Sequence, residues 1–368
     1  MGLPKDLRDT LERILLLSGQ ECLVMTDSRE GVTLVGTSRS LPSDFAPAVV
    51  LDASGRVRAT YAFWREHRGG LEVLPKAKHD YRKLRLKVWE TSCGKDALGD
   101  AKRRAKLADV IAKEVDQVPG EWLIVVYKDA GERLVDAVRS LVKDPQCVHC
   151  LTWGRHLGTN DYAHVDNVVI VGPVTYRNSD YVAHLMAAAG LGPEDVTAQR
   201  LRTIRTGEYQ HHLLQALCRA SVRKSKQGVA GACHAYLITS PSPGLGNVLR
   251  QTFPGVTLIE WMPSEPPLTG KAAEAAEYLR ERFADPSVQS VRKAEVRDAL
   301  AMRAAAFSNN VMKREAFLSF LAEEYLTHDR YSFRRMECEF PPLEEDGAYT
   351  LLTHGRLAND DEEMVSVA

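Results

Sequence analysis

Gln215, Arg219 and Arg223 follow one another at intervals of four residues in the stretch Gln215-Ala216-Leu217-Cys218-Arg219-Ala220-Ser221-Val222-Arg223. On a helix that spacing puts all three side chains on one face. Two guanidiniums carry fixed charge in a fork that fits a phosphate, and a carboxamide beside them adds neutral hydrogen bonds. Upstream, Gly158-Thr159-Asn160 is a turn between two apolar stretches, one running into Trp153 and one spanning Asn167 to Val171. Such a turn offers backbone N–H groups to an anion. The chemistry these residue types could do together is to hold a phosphate chain.

Regular elements must position these groups. Trp122-Leu123-Ile124-Val125-Val126-Tyr127 is a near-continuous apolar run, as in a central parallel strand covered on both faces. Leu84 to Trp89 alternates like a strand. A helix is expected over 101–118, with Leu107, Val110, Ile111, Val115 and Val118 on one side, and another over 131–142. Further strands are expected into Trp153, over 167–171, over 235–239 and over 256–261. The helix bearing the glutamine and arginines is expected to begin at Tyr209-Gln210-His211-His212, whose adjacent histidines point to different faces and so do not share a metal. Strand–helix alternation of this kind predicts an α/β fold, a doubly wound parallel sheet. Ligands of such sheets bind beyond the carboxyl ends of the strands, so the Gly158 turn and the arginine helix are expected there.

Ahead of this unit, Leu7, Leu11, Ile14 and Leu15 predict an amphipathic helix over 6–17. Strands over 22–25 and 32–35 predict a hairpin. Ala46-Pro47-Ala48-Val49-Val50-Leu51-Asp52-Ala53-Ser54-Gly55 predicts a buried strand ending in a small polar turn.

In this setting Gly158-Thr159-Asn160 resembles the fifth motif of the second RecA-like domain of superfamily-two DEAD/DEAH-type helicases, phage- and plasmid-type members included. Gln215, Arg219 and Arg223 resemble its sixth motif, and the turn at Asp52 to Ser54 resembles the third. The common family pattern places the last arginine one residue closer to the glutamine, so Arg219 carries over more directly than Arg223. The resemblance implies that Arg219 and Arg223 reach the γ-phosphate of ATP from across a cleft, with Gln215 positioning it. It implies that Gly158, Thr159 and Asn160 contact ATP and nucleic acid, and that Asp52, Ser54, Lys128, Trp153 and Arg155 lie along the nucleic-acid path. An arginine waiting for a phosphate is expected to be exposed and dispensable for folding.

A P-loop requires GxxxxGK[ST], and the sequence has no such match. Cys93-Gly94-Lys95-Asp96 and Thr269-Gly270-Lys271-Ala272 both lack the upstream glycine and the hydroxyl. No Asp-Glu-x-His or Asp-Glu-x-Asp box is present. ATP and Mg²⁺ are therefore expected only in a composite site with a P-loop-bearing helicase half. The implied layout is a remnant of a first RecA-like domain over 1–62, a second RecA-like domain over 63–262, a helical region resembling a winged helix over 263–342, and an acidic flexible tail over 343–368. The implied function is the C-terminal part of an ATP-dependent DNA helicase or translocase, inactive alone. The alternative is a non-catalytic nucleic-acid-binding adaptor. A third reading, an unrelated α/β enzyme, would need a catalytic cluster such as a GxSxG, an HExxH or paired carboxylates at a strand end, and none is found.

Composition limits the partners. The 368 residues carry a net charge of −1, so a nucleic-acid surface must be a local patch. Residues 63–113 hold 14 Lys/Arg against 7 Asp/Glu, with Trp64, Tyr81 and Trp89 interleaved. That mixture suits a phosphate backbone and stacked bases; a solvated face with core aromatics is the other reading. Arg292, Lys293, Arg297, Arg303, Lys313 and Arg314 make the helices after 290 basic, and Tyr331 to Arg335 is expected to be a short strand or wing. No apolar run approaches a membrane span, so no membrane partner is expected. Seven scattered cysteines point to reduced thiols in a cytoplasm. Cys147-Val148-His149-Cys150 is a single CxxC without a second pair, better read as half-buried strand thiols than as a metal site.

Overall fold

The computed structural model describes residues 4–27, 31–37, 44, 47–74, 79–263 and 268–336. The chain begins with α1 (Lys5–Leu17), the strands β1 (Leu23–Asp27) and β2 (Gly31–Val35), and α2 (Ala59–His67). There follow β3 (Leu84–Glu90), α3 (Lys95–Gly99), α4 (Ala101–Gln117), β4 (Trp122–Val126), α5 (Ala130–Leu141), β5 (Val148–Thr152) and β6 (Asn167–Val171). Next come α6 (Asn178–Ala189), α7 (Ala198–Leu217), β7 (Cys233–Thr239), α8 (Leu245–Thr252) and β8 (Thr257–Glu260). The last elements are α9 (Lys271–Ala284), β9 (Ser290–Arg292), α10 (Lys293–Ala299), α11 (Ala304–Phe307), α12 (Glu315–Glu323), β10 (Leu326–His328) and β11 (Ser332–Arg335).

Six strands form a sheet in the order β5-β4-β6-β7-β3-β8, and every neighbouring pair is parallel. All five residues of β4 and all five of β6 are buried, which explains their unbroken apolar sequence. Alternate residues feed two cores. Leu123, Val125, Val168 and Ile170 join residues of α7 and α8 on one face. Trp122, Ile124, Val126 and Val169 join residues of α4 and α5 on the other. A central parallel sheet between two helical layers is thus the architecture of residues 84–260.

Two expectations about the first segment part company. The helix α1 and the antiparallel β1–β2 hairpin form as expected. The strand expected before Asp52 does not. Residues 47–52 have no regular structure, and Val49 and Leu51 are 82% and 92% exposed. An apolar run becomes a strand only where a neighbour completes its ladder of hydrogen bonds, and among the described residues none lies beside it.

After Trp261, α9, α10, α12 and a small antiparallel sheet in the order β10-β11-β9 share their own core around Leu279, Val296, Phe317, Phe320 and Phe333. The expected strand at Tyr331 to Arg335 is β11. The acidic tail over 343–368 lies outside the described residues.

Candidate phosphate-binding site

The helix expected to carry Gln215, Arg219 and Arg223 ends before the arginines. Helix α7 starts at Ala198 and stops at Leu217; Arg219 lies in the turn beyond, and Arg223 closes a 3-10 turn over Ser221–Arg223. His211 and His212 therefore sit near its end. The three residues do not share a helical face, yet the chain reversal brings them to one place. Arg219 Nη2 donates to Gln215 Oε1 at 2.7 Å, Nε to Gln215 O at 3.1 Å, and Nη1 to Thr159 O at 2.8 Å. Arg223 donates to Asn160 Oδ1. The two stretches singled out by residue type thus meet at the Thr159–Asn160 turn.

A third guanidinium joins them. Arg56 donates to the carbonyls of Gln251 and Thr252 at the end of α8. Arg219, Arg56 and Arg223 all bear electrostatically on Cys218, whose thiol burial nevertheless pushes up to about 11. Burial and the neighbouring Arg223 charge lower the Arg219 pKa. Among the described residues, the acceptors for these three arginines are carbonyl and amide oxygens and, for Arg56, the Tyr81 hydroxyl. Like charges gathered without a carboxylate partner leave a positive field that an anion would neutralise.

The site is not where the doubly wound rule places it. Ser221 N donates to Val165 O just before β6, and Ser221 Oγ donates to Ala232 O just before β7. The arginine end of α7 therefore stands at the amino ends of the strands. Arg219 is also half-buried and tied into the fold by its three bonds, whereas Arg223 is exposed. The expectation of a free, dispensable Arg219 is corrected: the guanidinium staples the turn after β5 to the end of α7.

The carboxyl ends carry a different cluster, which joins Asp52 and Ser54, expected along the nucleic-acid path, to His211, weighed from sequence only for a metal shared with His212. The fully buried Ser54 Oγ lies 2.5 Å from Asp52 Oδ1 and 2.5 Å from His211 Nδ1. An ionised carboxylate only accepts, so the hydroxyl donates to Asp52 and receives the His211 Nδ1 proton. In that arrangement His211 Nδ1 is a donor to Ser54 and not its base. Hydrogen bonds from Ser54 and Tyr61 outweigh burial and hold Asp52 below the usual carboxylate range. His212 Nε2 meets Tyr176 OH at 2.8 Å, and Gly154 N donates to His156 Nδ1 at 3.0 Å. Burial, with nearby positive groups, lowers His156 to about 4 and His212 to about 3.

Asp52 and Ser54 thus fasten residues 52–58 to α7. Close approach requires Gly207, where a Cβ would lie 2.5 Å from Ala59 N. The Arg58 Nε bond to Glu208 Oε1 at 2.6 Å seals the contact, with side-chain exposures of 27% and 1%. Removing Arg58 strands a buried carboxylate, so Arg58→Met should lower stability by about 3–5 kcal/mol in urea unfolding, while Arg58→Lys should recover part of it.

The remaining expected contacts divide. Lys128, at the carboxyl end of β4, and Arg155 are exposed. Trp153 Nε1 donates to Gly172 O at 2.9 Å and its ring packs edge-on against His156. Of the aromatics in 63–113, Tyr81 and Trp89 belong to the core, so only Trp64 remains exposed for stacking. Cys150 points into the α5 side of the sheet and Cys147 packs there too. No protein-family model matches this chain, and no curated protein matches it.

Proposed function

We propose that this chain is the arginine-supplying, RecA-like half of an ATP-driven DNA helicase or translocase, completed by a P-loop-bearing half. The observation that carries the reading is the meeting of Arg219 and Arg223 with the Thr159–Asn160 turn, without a carboxylate partner among the described residues. Sheet ligands normally sit at the carboxyl ends of their own strands. A finger lent to a nucleotide on another body has no such constraint, which fits its place at the amino ends. In this reading Arg223 contacts the γ-phosphate, while Arg219 and Gln215 position it, and Gly158, Thr159 and Asn160 border the nucleotide and the nucleic acid. Mg²⁺ comes with the P-loop half.

A second observation supports the missing body. Leu11, Ile14, Leu15 and Leu16 of α1, Val24, Val32 and Leu34 of the hairpin, and Val49 to Leu51 are all exposed. Apolar surface gathered in one segment marks a contact face, and residues 1–62, read as a remnant of a first RecA-like domain, are the part that the P-loop-bearing half would cover.

The order α9–β9–α10–α11–α12–β10–β11, with its three-stranded antiparallel sheet, supports a winged helix after residue 263. Helix α12 is nonetheless unsuited to enter a groove: it carries no lysine or arginine, and Tyr325 just beyond it donates to Glu90 Oε1 at 3.1 Å. DNA contacts are assigned instead to the exposed Lys128 and Arg155.

Fluorescence anisotropy with labelled single-stranded DNA tests the DNA part. Binding should weaken with salt, each phosphate contact adding about −0.7 to the slope of log K against log salt. Lys128→Ala and Arg155→Ala should each lower the slope by about one contact, while Arg223→Ala leaves it unchanged. A salt-independent signal, or a slope untouched by both Lys128→Ala and Arg155→Ala, would remove these residues from the DNA path.

A further inference from the structure

At the amino edge of the sheet, three adjacent strands bring three metal-binding side chains together. Glu121 directly precedes β4, His149 is the second residue of β5 and pairs in register with Leu123, and His164 lies just before β6. His149 Nε2 lies 2.9 Å and His164 Nε2 2.8 Å from the same Glu121 Oε2. All three donor atoms fall within 4.8 Å of one another. We propose that Glu121, His149 and His164 bind one divalent transition metal ion of the zinc type.

The donor set and span both favour it. Two imidazole nitrogens and a carboxylate oxygen are borderline ligands suited to zinc, with water in the fourth position. Tetrahedral coordination at about 2.0–2.2 Å needs donors about 3.3–3.5 Å apart, close to the spacing already present. The side chains are half-buried or exposed, so the remaining adjustment is a small rotation. The ion pairs of Glu121 among the described residues are those with the two histidines, so no lysine or arginine fills the ion's place. Cys150 packs on the opposite side of β5, and Cys147, in the turn before β5, packs against the same core. His164 ends the segment that also carries Thr159 and Asn160, so the ion would anchor that segment to the sheet edge.

Calorimetric titration of the chelator-stripped full chain with zinc chloride tests the site, with cobalt chloride and visible absorption reporting tetrahedral geometry. One ion per chain is expected. Loss of an outer partner alone costs about 10–100-fold in metal affinity, so His149→Ala and His164→Ala should each weaken binding at least tenfold. Cys147→Ser/Cys150→Ser and His234→Ala should bind as wild type. Zinc should raise the melting temperature of wild type and of the cysteine variant, and leave that of His164→Ala unchanged. Absence of zinc uptake by the wild type, or unchanged uptake in both histidine variants, overturns the proposal. Loss confined to the cysteine variant also overturns it, and assigns the ion to the thiols.

Discussion

Arg223→Ala should reduce the ATPase of this chain mixed with a P-loop-bearing half by about 10³–10⁵-fold, the range an arginine supplied across a cleft contributes in other NTPases. The exposed Arg223 keeps one hydrogen bond, to Asn160, so its loss should leave the melting temperature nearly unchanged. Arg219→Ala should differ in kind. Its guanidinium joins Gln215 to the Thr159 carbonyl, and cutting those bonds should cost about 1–3 kcal/mol of stability as well as activity. Gln215→Ala should give a smaller ATPase loss, since it removes neutral hydrogen bonds and no charge. Measuring melting and turnover on the same preparations separates the roles. Equal stability losses in both arginine variants, with full ATPase, would make the pair structural.

The next largest effect is acid destabilisation by the buried histidines. His156 and His212 are lowered to about 4 and about 3, chiefly by burial. The unfolded chain takes up these protons near pH 6.5 while the folded protein refuses them. Stability is therefore fully present above about pH 7 and falls as pH drops through about 6.5 toward the folded values. Each histidine gives a slope of about 1.4 kcal/mol per pH unit, so the pair gives about 2.7 between about pH 6 and pH 4. Asp52 works in the other window: its folded pKa is depressed, so its contribution is lost only when pH falls below the ordinary carboxylate range. Urea unfolding at a series of pH values reads the slope directly. His212→Phe should flatten it by about half, and a stability unchanged from pH 7 to pH 5 would mean that these rings are not held neutral.

The sheet was legible because β4 and β6 are buried on both faces and so read as unbroken apolar runs. Helix α7 was not. From Thr203 to Leu217 it is buried almost all round, including Glu208, Gln210, His211 and His212, so no apolar stripe marks it. Its end was misplaced for the same reason, because the four-residue spacing of Gln215, Arg219 and Arg223 imitates a helical face that the turn at Cys218 interrupts. The arginines and the Gly-Thr-Asn turn meet through the turn's carbonyl and amide oxygens, a contact that the sequence reading, which gave both to a phosphate, did not foresee. Ser54 and His211 could not be paired from sequence, as their contact joins residues 157 apart. The strand expected before Asp52 is absent over 47–51, where no neighbour among the described residues completes its ladder, a property of the surroundings rather than of the run itself.

ATP hydrolysis by the P-loop-bearing half, titrated with this chain in the presence of single-stranded DNA, tests the central claim most directly. The chain alone should show no turnover, and the mixture should gain activity that saturates with the wild type and stays at background with Arg223→Ala. Turnover by the chain alone, or a mixture equally active with Arg223→Ala, would contradict the assignment of a lent arginine.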